Sequence, residues 1–203
     1  MRSLRFAVVG VVLAVGLTAC SSGDDEPTPE ASQSFGVAPT GEPVVILPTD
    51  AIDGASTETV NGVSIDVPDG FEATTSTLSS GGEQLVIKDP GEERAAVIVT
   101  VSEQEAVSDE SVDVSAQTAQ TQLAASEGWS DLTLTPATWE GFPHAAATTG
   151  TLTLPDGTER DAILVTARDE DGTRVVSVSA EAPGGDLEGS LAYEVLTTMR
   201  LDG

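Results

Sequence analysis

The 203-residue chain carries 34 acidic side chains against 8 basic ones, a formal net charge of −26. A field of that sign repels phosphate backbones and anionic headgroups, which excludes nucleic acid as a partner and makes the folded part stand off from a membrane surface. One cysteine excludes an intrachain disulfide framework, and one histidine leaves too few nitrogen and sulfur ligands for the usual zinc sets.

Arg2 and Arg5 precede an apolar run from Phe6 to Leu17, which ends in Leu17-Thr18-Ala19-Cys20 and meets polar chain at Ser21-Ser22-Gly23. A charged start, a short apolar core and small residues at a cleavage site form the layout of an export signal. The run falls short of the roughly 20 apolar residues of a membrane-spanning helix. Leu17 to Cys20 resemble a bacterial lipobox. The resemblance implies that residues 1–19 are a lipoprotein signal peptide and that the Cys20 sulfur carries a diacylglyceryl group. It also implies that the protein is lipid-anchored, with palmitate or a similar acyl chain, at the outer face of the cytoplasmic membrane. Two or more acyl chains hold a protein stably where one holds it marginally. An acylated Cys20 leaves no thiol for catalysis.

Residues 20–57 then read as a lipidated N-terminus and a disordered acidic tether, because Pro, Ser, Asp, Glu and Gly dominate and cannot bury enough surface to offset chain entropy. About 37 residues of such chain reach about 30–37 Å on average. Val44-Val45-Ile46-Leu47, between Pro43 and Pro48, interrupts the tether. It is too short for a helix. It reads either as an edge strand or partner-binding segment lying along the domain, or as an unstructured apolar patch.

Residues 58–203 show the short alternating runs of one globular domain. Val63, Ile65 and Val67 predict a half-buried strand that turns at Pro68-Asp69-Gly70-Phe71. Leu85 to Ile87 predicts a second strand. Ala95 to Val101 predicts a third, with apolar residues on both faces and hence a central place covered on both sides. Ser108 as N-cap, Asp109 and Glu110 in the first turn, and Val112, Ala116, Ala119 and Leu123 at three- and four-residue spacing predict a helix ending at Gly128. Strands follow from Leu132 to Trp139 and from Ala145 to Leu154. Two Asp-Gly hairpins, at Asp156-Gly157 and Asp171-Gly172, join Arg160 to Ala167 and Thr173 to Ala180 into a meander. After Pro183-Gly184-Gly185, a second helix carries Leu191, Val195 and Met199 on one stripe, with Leu196 beside it. The order predicts an α+β domain: an antiparallel β-sheet flanked by helices, an α/β/α sandwich.

A strand leading into Val67-Pro68-Asp69-Gly70-Phe71, two strands, a helix, four strands and a C-terminal helix together resemble the PsbP-like fold. With the lipobox and acidic tether ahead of it, the chain resembles actinobacterial lipoproteins of the LpqN/LpqT type, and its Ala, Thr, Val and Asp usage with Lys88 as the only lysine resembles proteins of high-GC Gram-positive bacteria. The family resemblance implies a binding or accessory module without catalytic residues or cofactors.

The residues themselves point the same way. His144, the only histidine, would have to anchor any Ser-His-Asp triad, and no Gly-x-Ser-x-Gly elbow accompanies it. Asp169-Glu170-Asp171-Gly172 begins like a calcium loop. Aligning its glycine puts Ala167 and Val178 at the first and twelfth positions, where carboxylates are required, so a hairpin tip fits better. Trp129, Trp139, Phe142 and Tyr193 serve as core or line a ligand cleft. Ala145, Ala147 and Ala162 either let a helix pack closely or leave a groove for an apolar chain. The expectation is a membrane-anchored, non-enzymatic envelope lipoprotein that binds a protein partner or an apolar envelope molecule, with a hydrolase of envelope polymers as the alternative. Cys20 is its one assigned site, a lipidation site; no catalytic, cofactor or metal residue is assigned.

Overall fold

The computed structural model describes residues 38–202. Cys20 and the signal peptide at 1–19 lie outside the described residues. The alternation read from the sequence becomes strands β1 (Val44–Ile46), β2 (Ser56–Val60), β3 (Val63–Val67), β4 (Glu72–Thr77), β5 (Glu83–Lys88), β6 (Val97–Glu103), β7 (Trp129–Trp139), β8 (Phe142–Thr153), β9 (Glu159–Arg168), β10 (Arg174–Pro183) and β11 (Arg200–Leu201). Helix α1 spans Asp109–Ala124 and helix α2 spans Leu191–Thr197.

Eight strands form one sheet in the order β1-β7-β8-β9-β10-β6-β5-β4, and β11-β3-β2 form a second. All pairings are antiparallel except that of β1 with β7, which is parallel and sets Ile46 opposite Trp139. One face of the large sheet carries Val97, Val99, Val101, Val176, Val178, Ile163 and Val165. With Val63, Ile65 and Val67 of the small sheet and Val195, Leu196 and Met199 around α2, they form the main core. On the opposite face α1 packs over β7, β8 and β9.

The architecture corrects the predicted α/β/α sandwich. Among the described residues only the 16 of α1 and the 7 of α2 are α-helical, and the layer holding α2 is shared with a three-stranded sheet. The fold is mostly β, built on an eight-stranded mixed sheet. On the α1 side the cover reaches only the start of β10, where Val175 packs with Val107 and Val112, so Ser177, Ser179, Thr100, Ile98 and Val86 of β10, β6 and β5 are only half-buried. Apolar residues on both faces of β6 therefore do not mean cover on both sides: Val97, Val99 and Val101 meet the core, and Ile98 faces half-open surface.

Residues before 58 also contribute to the fold. Ile46 is buried in the main core, and the buried Asp66 carboxylate accepts hydrogen bonds from Ile52 N (3.3 Å) and Thr57 Oγ1 (3.0 Å). These contacts bind to the domain a stretch that the sequence reading assigned to the tether, because its apolar and hydrogen-bonding partners are distant in sequence.

Helix α1 starts as predicted. Ser108 Oγ accepts from Ser111 N, and the Ser111 side chain answers to the Ser108 amide, a reciprocal cap. Its C-cap is Ala125, so Gly128 is not the residue that ends the helix. Gly128 instead turns the chain into β7 at φ +91°, where any Cβ would collide with the Thr153 carbonyl.

Candidate functional site

Among the described residues, the large apolar side chains left exposed are Val45 (56%), Leu47 (71%) and Leu191 (39%), from β1, the residue after it and the start of α2. Period-two alternation explains the first two: with Ile46 turned into the core, its neighbours face outward. Pro43 and Pro48 limit the strand to three residues, since neither can donate to a ladder. The chain beyond is pinned to α2 by Thr49 N donating to Thr197 O (3.1 Å) and by the Thr49 and Thr197 hydroxyls, 2.7 Å apart. Helix α2 is started by Ser190 Oγ, which accepts from Tyr193 N at 3.2 Å. Between β1 and α2 lies a cleft of about 490 Å³, whose lining includes Val45, Leu47, Tyr193, Glu188 and Glu194 and no basic side chain. Burial, and then the nearby Glu188 charge, push the Tyr193 phenol above its ordinary value, so it stays neutral as a hydrogen-bonding group.

The second polar constellation is His144 on β8. Its Nε2 lies 2.8 Å from Asp113 Oδ1, its Nδ1 lies 3.9 Å from Asp109 Oδ2, and Arg168 Nε donates to Asp109 Oδ1 at 2.6 Å. The Arg168 hydrogen bond holds the Asp109 carboxyl below its usual range; burial opposes it, and the charges of His144 and Arg168 add to the lowering. A histidine oriented by a carboxylate is two parts of a triad. Among the described residues the ring makes no hydrogen bond to a hydroxyl, and the arrangement links α1 to β8 and β9.

Among solved structures, the chain is similar to the cyanobacterial PsbP (CyanoP) of Synechocystis, with a TM-score of 0.51 at 15% identity over 74% of this chain and 94% of that one. The fold is PsbP-like. LpqN of Mycobacterium tuberculosis, described as involved in cell envelope biogenesis, matches with a TM-score of 0.46 at 17% identity, over 77% of this chain and 90% of that one. No family model and no curated protein matches the chain.

The remaining sequence-singled residues are distributed by this PsbP-like fold. Asp169 is a buried hairpin anchor: Oδ1 accepts from Thr173 N (2.8 Å) and Arg174 N (3.0 Å), and Oδ2 from Thr173 Oγ1 (3.1 Å). Burial pushes its carboxyl up, but the Arg174 and Thr173 amides, the Thr173 hydroxyl and the Arg174 charge together pull it below the ordinary value. Trp139 and Phe142 are core residues with ring centroids 4.5 Å apart. Trp129 is half-buried, and Tyr193 lines the cleft. Ala145 and Ala147 face the main core, and Ala162 belongs to the other face, so the three do not line one groove. All three are buried, and their small size serves close packing.

The arginines at 94, 160, 168, 174 and 200 each lie within 4 Å of a carboxylate, of Glu181, Glu181, Asp109, Asp169 and Asp66 respectively. These five arginines are thus each paired with a carboxylate, leaving a surface of excess carboxylate. No helix of the described residues is long and apolar enough to cross a membrane. Sequence reasoning read Val44 to Leu47 as an edge strand or partner-binding segment, with an unstructured patch as the alternative; Val44–Ile46 is an edge strand, and the cleft it makes with α2 was missed. The available signal was an uncharged four-residue run fenced by prolines.

Proposed function

We propose that the protein is a non-enzymatic accessory module of an actinobacterial cell envelope, held by lipid on Cys20 at the outer face of the cytoplasmic membrane, and that it holds a protein partner or an apolar envelope molecule. The observation that carries the reading is the exposure of two apolar side chains, Val45 and Leu47, at the β1–α2 cleft, in a chain whose one cysteine ends a stretch that resembles a lipobox. The spacer between Cys20 and β1 gives the domain reach while the acidic surface keeps it off anionic headgroups. Internal pairing of the arginines favours an uncharged or basic ligand over an anionic one.

Detergent partitioning of the wild type and Cys20→Ser tests the anchor. The wild type is expected in the detergent phase and Cys20→Ser in the aqueous phase, since loss of all acyl chains removes the membrane affinity. Equal partitioning of the two would sink the anchor. Crosslinking in intact cells, with identification of both proteins and lipids, then separates a protein partner from an apolar molecule.

A further inference from the structure

We propose that the β1–α2 cleft receives an extended segment of a partner protein that alternates apolar with lysine or arginine side chains, and that this segment lengthens the large sheet beyond β1. The inference deepens the reading of the chain as a binding module and rests on it. Among the described residues β1 is the terminal strand of the eight-stranded sheet, with a ladder to β7 alone. A terminal strand offers backbone groups to an added strand, and proteins usually blunt such edges with charge. Here Val44, Val45 and Ile46 carry no charge, and the flanking prolines confine the offer to this short length.

Charge selects the occupant. Glu188 and Glu194 line the cleft beside Val45, Leu47 and Tyr193, with no basic side chain to neutralise them. A basic residue in the added segment would satisfy them, and its apolar neighbours would cover Val45 and Leu47. An anionic bilayer surface would meet these glutamates with like charge. A second copy would bring its own glutamates on a chain of net charge −26. Both are disfavoured by the same electrostatics.

The test uses the ¹⁵N-labelled Cys20→Ser chain and a heptapeptide of alternating valine and lysine, titrated to about 1 mM so that weak association is seen. The expected result is amide shift changes confined to β1, Leu47 to Thr49 and α2, lost with an otherwise identical valine and glutamate peptide. Leu47→Asp and Glu194→Lys should each weaken binding by about tenfold, which is about 1.4 kcal/mol. Both replace exposed residues, so the variants keep the fold. The proposal is overturned if the lysine peptide leaves these amides unmoved, or if the glutamate peptide binds equally. It is also overturned if phosphatidylcholine vesicles shift the same amides while the peptide does not, or if they shift with protein concentration alone, which would assign the cleft to lipid or to a second copy. Failure here with Cys20-dependent anchoring intact removes the peptide assignment and leaves the anchored module standing, whereas failure of the anchor leaves this titration unaffected.

Discussion

Replacing Ile46 by alanine removes three carbon atoms from a side chain that is 1% exposed and belongs to the main core. At about 0.8 kcal/mol per buried methylene, the transfer loss is about 2.4 kcal/mol. The cavity left opposite Trp139 adds to that loss, partly offset by collapse at a sheet edge, for a total of about 3 kcal/mol within the usual 2–5 for such truncations. In a domain of this size about 3 kcal/mol lowers the melting temperature by about 6–12 °C. Val45→Ala, one residue away but 56% exposed, is expected to change stability by no more than about 0.5 kcal/mol. Urea denaturation of both variants, with unchanged slope, measures the difference. Equal, small effects from the two would show that β1 does not dock in solution, and the cleft it forms with α2 would fall with it.

Other expectations concern buried polar groups. The folded Asp169 carboxyl titrates below its unfolded value of about 3.9, so its stabilisation is complete above that pH and is lost as pH falls through the folded value. Asp169→Asn should therefore flatten the acid limb of stability measured from about pH 4 to pH 2, and an unchanged limb would refute this role. Thr148 is 2% exposed and its hydroxyl has no hydrogen-bond partner among the described residues. Thr148→Val keeps the shape and removes the unsatisfied group, so the denaturation midpoint should rise by the equivalent of about 1 kcal/mol. A fall would mean that the hydroxyl is satisfied.

The local elements were legible where neighbours in sequence are also neighbours in space. Ser108 caps α1 because its partner is three residues away, and the Asp-Gly turns at 157 and 172 place glycine at φ +86° and +63°, as tight hairpins need. By contrast β4, Glu-Ala-Thr-Thr-Ser-Thr, is exposed along its whole length and has no apolar alternation to announce it. The layers were misread for a related reason: a stripe of Leu191, Val195 and Met199 predicts a helix but not that it stops at Thr197 and yields half its layer to β11, β3 and β2.

The sequence by itself determined the charge, the alternation that makes strands, the cap and the hairpins, and the lipobox resemblance at Cys20, because each is written in residue types at short spacing. The tertiary structure alone decided that Val44–Ile46 joins the large sheet beside β7, that Ala145 and Ala147 face away from Ala162, and that Val45, Leu47 and Tyr193 share one cleft with two glutamates. The physical reason is range. The pairing of Ile46 with Trp139 and the bond between Thr49 and Thr197 join residues far apart along the chain. Packing and hydrogen bonding choose such partners only after every strand has found its register.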